Sequence, residues 1–327
     1  MRNDDQLRAL FAQKWVDKNL VIALPSGKSM EEVVLRLLSK AHIDVTRAHP
    51  RACVGSVAGL PNFTRAIFCR PSEIPHLVAS GEACLGITGT DTVREYGSYE
   101  DRPDTTPPCL AICAEMDLSR NTNRKTRCVV AVRWNDAAQS MEDVAREFGP
   151  GGKISIVTEY PIETALFLFK HGLAGDLIRS RGSAETLVVL GTYRFCVVLV
   201  ETGTTLKVNG LREIATIFES STVVVANRNF LEIPAATEAV RFFGRTLQAV
   251  LNAEGKVYLV MNAPATNVEI ICRVLPAMKK PTVQALSDAR LCAIAAVVPV
   301  EGLVHLKFEL ETLGAADFVE LEPSAVL

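Results

Sequence analysis

Apolar residues in this chain fall into short continuous blocks, separated by stretches with helical spacing. Residues 20–24 read as a buried strand. Ser29 is placed to cap a helix over 30–40, where Val33, Val34, Leu37, Leu38 and Ala41 recur on one face. Residues 71–80 read as a second helix stopped by Gly81, and 83–88 as another buried strand. Residues 97–127 are loop-rich, with Pro103, Pro107, Pro108 and a polar run after Ser119, and mark a crossover. A second series opens with a strand at 128–133. Strand 153–158 precedes a helix with Pro161 in first position and Gly172 just past its end. Strand 177–180, helix 184–190 and strands 195–200 and 222–226 follow. This alternation predicts an α/β fold with mostly parallel sheets, arranged as two lobes around a cleft.

Residues 233–236 read as a linker and 237–253 as a helix. The tail then reads strand 256–262, helix 266–277, strands 282–286 and 291–298, helix 301–313 and strand 317–321. That βαββαβ order is the ferredoxin-like pattern. The expected organisation is an N-terminal extension over 1–19, a first lobe over 20–104 completed by 210–232, a second lobe over 105–209, and a C-terminal domain over 237–327.

Composition narrows the function classes. The 327 residues are 48% hydrophobic and carry a net charge of -2, so no sequence-wide field favours nucleic acid or a membrane surface. No apolar run is long enough to span a bilayer, and the polar N-terminus lacks a signal-peptide core. A cytoplasmic protein with neither nucleic-acid nor membrane partners is expected. The nine cysteines lie mostly in apolar runs and form no Cys-x-x-Cys pair; the five histidines show no ligand spacing. Free thiols in a reducing compartment are expected. Cys109 and Cys113 are four apart, but the rest of a metal or redox site is missing.

One stretch carries specific chemistry. The apolar run Val197-Val198-Leu199-Val200 empties into Glu201-Thr202-Gly203-Thr204-Thr205. A glycine that lets the backbone come close, with threonine hydroxyls around it, is suited to a phosphate group. An ordinary threonine-capped strand-to-helix turn has the same composition.

The run Gly182-Ser183-Ala184-Glu185, Gly191, then Glu201 to Leu211 resembles the signature of the ATP phosphoribosyltransferase family. Ile22-Ala23-Leu24-Pro25-Ser26, Arg70-Pro71-Ser72-Glu73-Ile74-Pro75, Leu85-Gly86-Ile87-Thr88-Gly89, Thr158-Glu159-Tyr160-Pro161 and Glu219-Ser220-Ser221 match further blocks in order. The resemblance implies a two-lobed catalytic region like that of periplasmic binding proteins. It implies joining N1 of ATP to C1 of phosphoribosyl pyrophosphate, through a transition state resembling an oxocarbenium ion. That chemistry calls for a phosphate cradle, Mg²⁺ on the pyrophosphate and polar groups on the ribose hydroxyls. Thr202, Gly203, Thr204 and Thr205 would form the cradle. Ser26, Lys28, Arg70, Tyr160, Ser183, Glu185 and Glu201 would line the cleft, with no metal ligand assigned to the protein. The tail resembles the regulatory domain of the long, homohexameric form, which implies a homo-oligomer and a histidine-like effector.

The chain departs from the family pattern at several positions. Aspartates four apart on the strand before the loop are replaced by Arg194 and Val198, and the acid of an Ala-Asp-Leu-Gly-Ile strand by Cys84. The basic first loop reads Ser26-Gly27-Lys28-Ser29. These changes are expected to strip charge from the cleft. They keep two alternatives open beside phosphoribosyl transfer: a paralogue acting on a different phosphorylated substrate, and a non-catalytic subunit that senses a nucleotide or histidine.

Overall fold

The computed structural model of the chain describes residues 2–97, 109–118, 125–180, 182–278 and 280–326, without the side chains of residues 28 and 29. Pro103, Pro107, Pro108 and the run 119–124, expected as crossover, lie outside the described residues. The chain divides into two units, Met1–Gly244 and Arg245–Leu327.

The first unit opens with α1 (Asp4–Val16), β1 (Leu20–Pro25), α2 (Lys28–Lys40), β2 (Asp44–Thr46), β3 (Val54–Ala58) and β4 (Phe63–Cys69). A 3-10 turn (Pro71–Glu73) leads into α3 (Ile74–Ala79), then β5 (Leu85–Gly89), α4 (Thr90–Gly97) and β6 (Leu110–Met116). The second lobe contains β7 (Thr126–Arg133), α5 (Met141–Phe148), β8 (Lys153–Thr158), α6 (Pro161–Lys170), β9 (Ala174–Arg179), α7 (Ala184–Val189), β10 (Phe195–Val200), α8 (Thr204–Val208) and β11 (Leu211–Ser220). The chain returns through β12 (Thr222–Asn227), α9 (Arg228–Leu231) and α10 (Pro234–Ala253).

Two sheets result, ordered β2-β3-β4-β1-β5-β12-β6 and β11-β7-β10-β8-β9. Every residue of β1, β5 and β12 is buried, as expected for central strands covered on both faces. The lobe boundaries differ from the sequence reading. β6 is not part of the second lobe; it pairs with β12 at the edge of the first sheet. β11 does not complete the first lobe; it pairs antiparallel with β7. Its register shifts between Glu213 and Ala215 and again between Thr216 and Phe218. Such irregularities erase the two-residue alternation by which a strand is recognised in sequence.

One further element starts earlier than the sequence reading placed it, and four others carry no clear local signal. α2 starts two residues earlier than expected, with Gly27 rather than Ser29 at its N-cap, and Glu31 Oε2 accepts the Gly27 N–H at 3.1 Å. β2 to β4 carry mixed exposure and no clean period. α1 buries only Leu7 and Phe11, so its sequence looks polar. Tertiary packing secures it: Phe230 of α9 meets Phe11, Trp15 and Phe63 at ring separations of 5.5, 6.2 and 6.4 Å. Arg8 adds a two-bonded ion pair with Glu232.

The second unit runs β13 (Lys256–Pro264), α11 (Val268–Val274), β14 (Thr282–Ala285), β15 (Leu291–Pro299), α12 (Leu303–Thr312) and β16 (Ala316–Leu321). Its sheet, ordered β14-β15-β13-β16, is antiparallel throughout, which is the ferredoxin-like arrangement. Leu259, Met261, Ile294 and Val298 face the helices and pack with Ile271 and Leu310. The alternate residues Tyr258, Val260, Val297, Val319 and Leu321 lie together on the opposite face.

The aromatic cluster around Phe230 yields a direct expectation. Phe230→Ala should destabilise the first unit by about 3–5 kcal/mol through transfer and cavity terms. Denaturant titration would measure this, and α1 should lose its hydrogen-exchange protection in the same variant.

Candidate functional site

β10, β8 and β9 run parallel, so their carboxyl ends share one edge of the second sheet. Each strand leads from that edge into a helix: β8 into α6, β9 into α7, β10 into α8. Helix starts at the carboxyl edge of a parallel sheet present backbone N–H groups to a ligand. Ser183 takes the N-cap position of α7, and its N–H donates to Ser180 Oγ at 3.3 Å. Glu185 lies in the first turn of α7, near enough to Cys196 for its charge to add to burial in pushing that thiol up to about 12. Glu201 follows β10 and is half-buried.

The Thr202–Thr205 turn completes this edge. Gly203 has φ +73°, the left-handed region, and caps α8. A Cβ at Gly203 would meet nothing within 4 Å, so the approach to its backbone is open. Thr202 and Thr204 share a 2.8 Å hydroxyl–hydroxyl hydrogen bond, and both residues are exposed along with Thr205. A similar stretch, Thr88-Gly89-Thr90-Asp91-Thr92, spans the end of β5 and the start of α4, but its hydroxyls are spent internally. Thr88 Oγ1 donates to the Pro71 carbonyl at 2.9 Å and Thr92 Oγ1 to the Gly89 carbonyl at 2.8 Å. Of these two stretches, the one after β10 has its threonines exposed to solvent.

In the first lobe, β1 runs parallel to β4, with Pro25 opposite Cys69. The Ser26 N–H donates to the Cys69 carbonyl at 2.6 Å, so Ser26 and exposed Arg70 are neighbours at that sheet's carboxyl edge. Lys28 begins α2 on the same edge, but its side chain lies outside the described residues. The predicted residues therefore form two groups, one per lobe. A cavity of about 60 Å³ sits where the lobes join, lined by Met30, Pro71, Asp91, Leu199, Ser220 and Thr222 among others.

Tyr160 does not line the cleft surface as expected. It is 8% exposed, and its Oη donates to Asp91 Oδ2 at 2.7 Å across the two lobes. Asp91, Arg94 and Glu95 of α4 were missed in the sequence. Their signal in the sequence is the polar cluster Thr88-Gly89-Thr90-Asp91-Thr92, which resembles the turn after β10.

The family model HisG, ATP phosphoribosyltransferase, matches residues 70–248, and HisG, C-terminal domain, matches residues 253–323. A protein from Pyrobaculum aerophilum named ATP phosphoribosyltransferase is 32% identical over 92% of this chain and 97% of its own. One of the same name from Methanococcus maripaludis strain S2 is 30% identical over 94% of this chain and 100% of its own. The chain belongs to the ATP phosphoribosyltransferase family. The ATP phosphoribosyl transferase (HisG:HisZ) complex from Thermotoga maritima contains a chain of like fold, with TM-score 0.55, 24% identity, and coverage of 72% of this chain and 100% of that one.

Three of the departures from the ATP phosphoribosyltransferase pattern, Cys84, Arg194 and Val198, do not share one location. Cys84 immediately precedes β5, at its amino end, fully buried, and burial pushes its thiol up. Arg194 immediately precedes β10, also at the amino end. The cleft groups all hang from carboxyl ends, so neither residue strips charge from the cleft and Arg194 does not repel a cleft metal. Arg194 instead bonds Asp136 at 2.8 and 2.9 Å and Glu147 at 2.5 and 2.9 Å, beside a separate cavity of about 410 Å³. Val198 is the departure that falls near the site. It is 6% exposed and packs with Ala184 and Leu206, beneath the starts of α7 and α8.

Two expected outcomes follow. The Arg194 hydrogen bond is the main influence holding the Asp136 carboxyl below its usual range. That contribution is complete above the unfolded carboxylate pKa and is lost as pH falls through the lowered folded value. Arg194→Ala should therefore cost about 1–3 kcal/mol at pH 7, and the gap to the parent should shrink below about pH 4. Thermal melts across pH would measure it. Gly203→Val places a β-branched residue in the left-handed region and fills the open approach, so calorimetry should find phosphoribosyl pyrophosphate binding abolished.

Proposed function

We propose that this chain is an ATP phosphoribosyltransferase, joining N1 of ATP to C1 of phosphoribosyl pyrophosphate and releasing pyrophosphate. The observation that carries this reading is the outward-facing Thr202–Thr205 turn at the carboxyl end of β10. It occurs in a chain whose relatives of that name align over more than nine-tenths of its length. That breadth favours the transferase over a repurposed paralogue or a sensing subunit.

In this reading the turn holds the 5′-phosphate through backbone N–H groups and threonine hydroxyls. Ser183, Glu185 and Glu201 stand around the ribose, and Ser26, Lys28 and Arg70 receive the pyrophosphate or triphosphate from the opposite lobe. The C1–oxygen bond to pyrophosphate breaks as the N1–C1 bond forms, and positive charge develops on the ribose. The protein holds two ligands in line and needs no covalent nucleophile. Mg²⁺ enters as part of the substrate, on the pyrophosphate. The apolar Val198 leaves the ribose floor without the family's acid, so turnover should be slower than that acid would allow.

A pyrophosphate-release assay with ATP, phosphoribosyl pyrophosphate and Mg²⁺ tests the reading. Release that requires both substrates supports it. No release together with no calorimetric binding of phosphoribosyl pyrophosphate overturns it.

A homo-oligomer belongs to the same proposal, with the long-form tail as its assembly and histidine-effector domain. Tyr258, Val260, Val297, Val319 and Leu321 give one sheet face of the second unit an apolar surface for another copy to cover. Sedimentation should show an oligomer at micromolar concentration, and Leu321→Glu should shift it to smaller species. No helix among the described residues is long and apolar enough to cross a membrane.

A further inference from the structure

The chain passes between the lobes of the first unit along two segments, one after β6 and one between β11 and β12. Side chains that bond from one lobe to the other therefore bear on the relative orientation of the two sheets. α4 belongs to the first lobe through β5, yet its polar groups reach the second lobe. Asp91, 7% exposed, accepts from Tyr160 Oη at 2.7 Å through Oδ2 and from Ser220 Oγ at 2.7 Å through Oδ1. Ser220 Oγ in turn accepts the Asp91 N–H and the Thr90 hydroxyl, each at 3.1 Å. One turn on, Arg94 pairs with Glu163 at 2.8 Å, where Glu163 is 3% exposed. Glu95 accepts the Ile162 and Glu163 N–H groups at 3.1 and 3.2 Å, capping α6 from the other lobe.

These bonds converge on one junction. Tyr160 directly precedes α6, whose first turn Glu95 caps, and Ser220 ends β11. Asp91 and Ser220 also line the small cavity where the lobes join. A buried carboxylate on the first lobe, satisfied by hydroxyls carried on second-lobe elements, holds well only in one relative orientation, because moving either lobe strands it without a partner.

We propose that Asp91, Tyr160 and Ser220 form a positioning unit that sets the angle between the lobes. The unit thereby sets the separation between the Ser26–Arg70 edge and the Thr202–Thr205 turn. Tyr160 touches no substrate and acts through Asp91. This rests on reading the cleft as a phosphoribosyl site whose two halves sit on different lobes.

The test uses Tyr160→Phe, which keeps the ring and its edge-on contact with Phe218 at 6.0 Å and removes only the hydroxyl. Calorimetric Kd and the KM for phosphoribosyl pyrophosphate should rise about tenfold, the effect of losing one hydrogen bond to a charged group. The loss should fall on Kd and KM more than on kcat. Asp91→Asn retains an acceptor for Ser220 and a donor for the Tyr160 oxygen, so it should restore most of the affinity lost in Asp91→Ala. Hydrogen exchange of the Ile162 and Glu163 amides should quicken in Tyr160→Phe, a readout independent of activity. A Tyr160→Phe variant with a lowered melting temperature but unchanged Kd, KM and exchange would overturn the proposal. So would a loss confined to kcat, or an Asp91→Asn variant as impaired as Asp91→Ala. If the parent protein neither releases pyrophosphate nor binds phosphoribosyl pyrophosphate, the transferase reading fails by itself. Unchanged amide exchange in Tyr160→Phe would then sink the positioning unit separately, and quickened exchange would uphold it.

Discussion

β10, β8 and β9 run parallel, and that shared direction decides which side chains of the second lobe gather at one edge. Their carboxyl ends deliver Ser183, Glu201 and the Thr202–Thr205 turn to one edge. Their amino ends carry other residues to the opposite pole. Arg194 and Thr202 are eight positions apart in sequence, and the full length of β10 separates them. The same constraint in the first lobe places Ser26 and Arg70 together after β1 and β4, and puts Cys84 at the far end of β5. A charge change at a strand's amino end alters local ion pairing, as Arg194 does with Asp136 and Glu147. A change near a carboxyl end, as at Val198, alters the packing beneath the starts of α7 and α8.

The junction between the lobes is polar where most protein interiors are apolar. Asp91, Glu163, Ser220, Ser221 and Thr222 are all buried there. Such groups are costly to bury singly and rigid when mutually satisfied. Thr222 Oγ1 donates to the Leu118 carbonyl at 2.7 Å, and the Thr90 N–H to the Ser221 carbonyl at 2.9 Å, so the crossing segments are tied to each other and to α4. Burial pushes the Glu95 carboxyl up, while the two α6 amides it accepts pull it down. Apolar packing alone would stabilise the same junction without fixing one angle, because it lacks direction.

The second unit shows how far burial pattern reaches. β13 and β15 alternate strictly between residues under the helices and residues on the other face, and nine consecutive pairs keep register from Lys256–Pro299 to Pro264–Leu291. Period-two alternation on long strands specifies both the element and its register. The βαββαβ order was accordingly legible, and the antiparallel order β14-β15-β13-β16 follows from it.

The sequence by itself determined the elements whose apolar period is unbroken: β1, β8, β10, α6 and the alternating tail. It also marked the Thr202–Thr205 turn, because glycine and clustered hydroxyls after an apolar run are a local signal. Tertiary structure alone decided what depends on distant partners. α1 is held by the rings around Phe230, β11 by irregular pairing with β7, and β6 by an edge position beside β12. Nothing local in Thr88–Thr92 or Tyr160 says that their hydroxyls turn inward. Glu95 finds its partners on a helix 67 and 68 positions away. Side-chain period is a property of neighbours along the chain, whereas strand direction and polar pairing between lobes are properties of residues brought together only by folding.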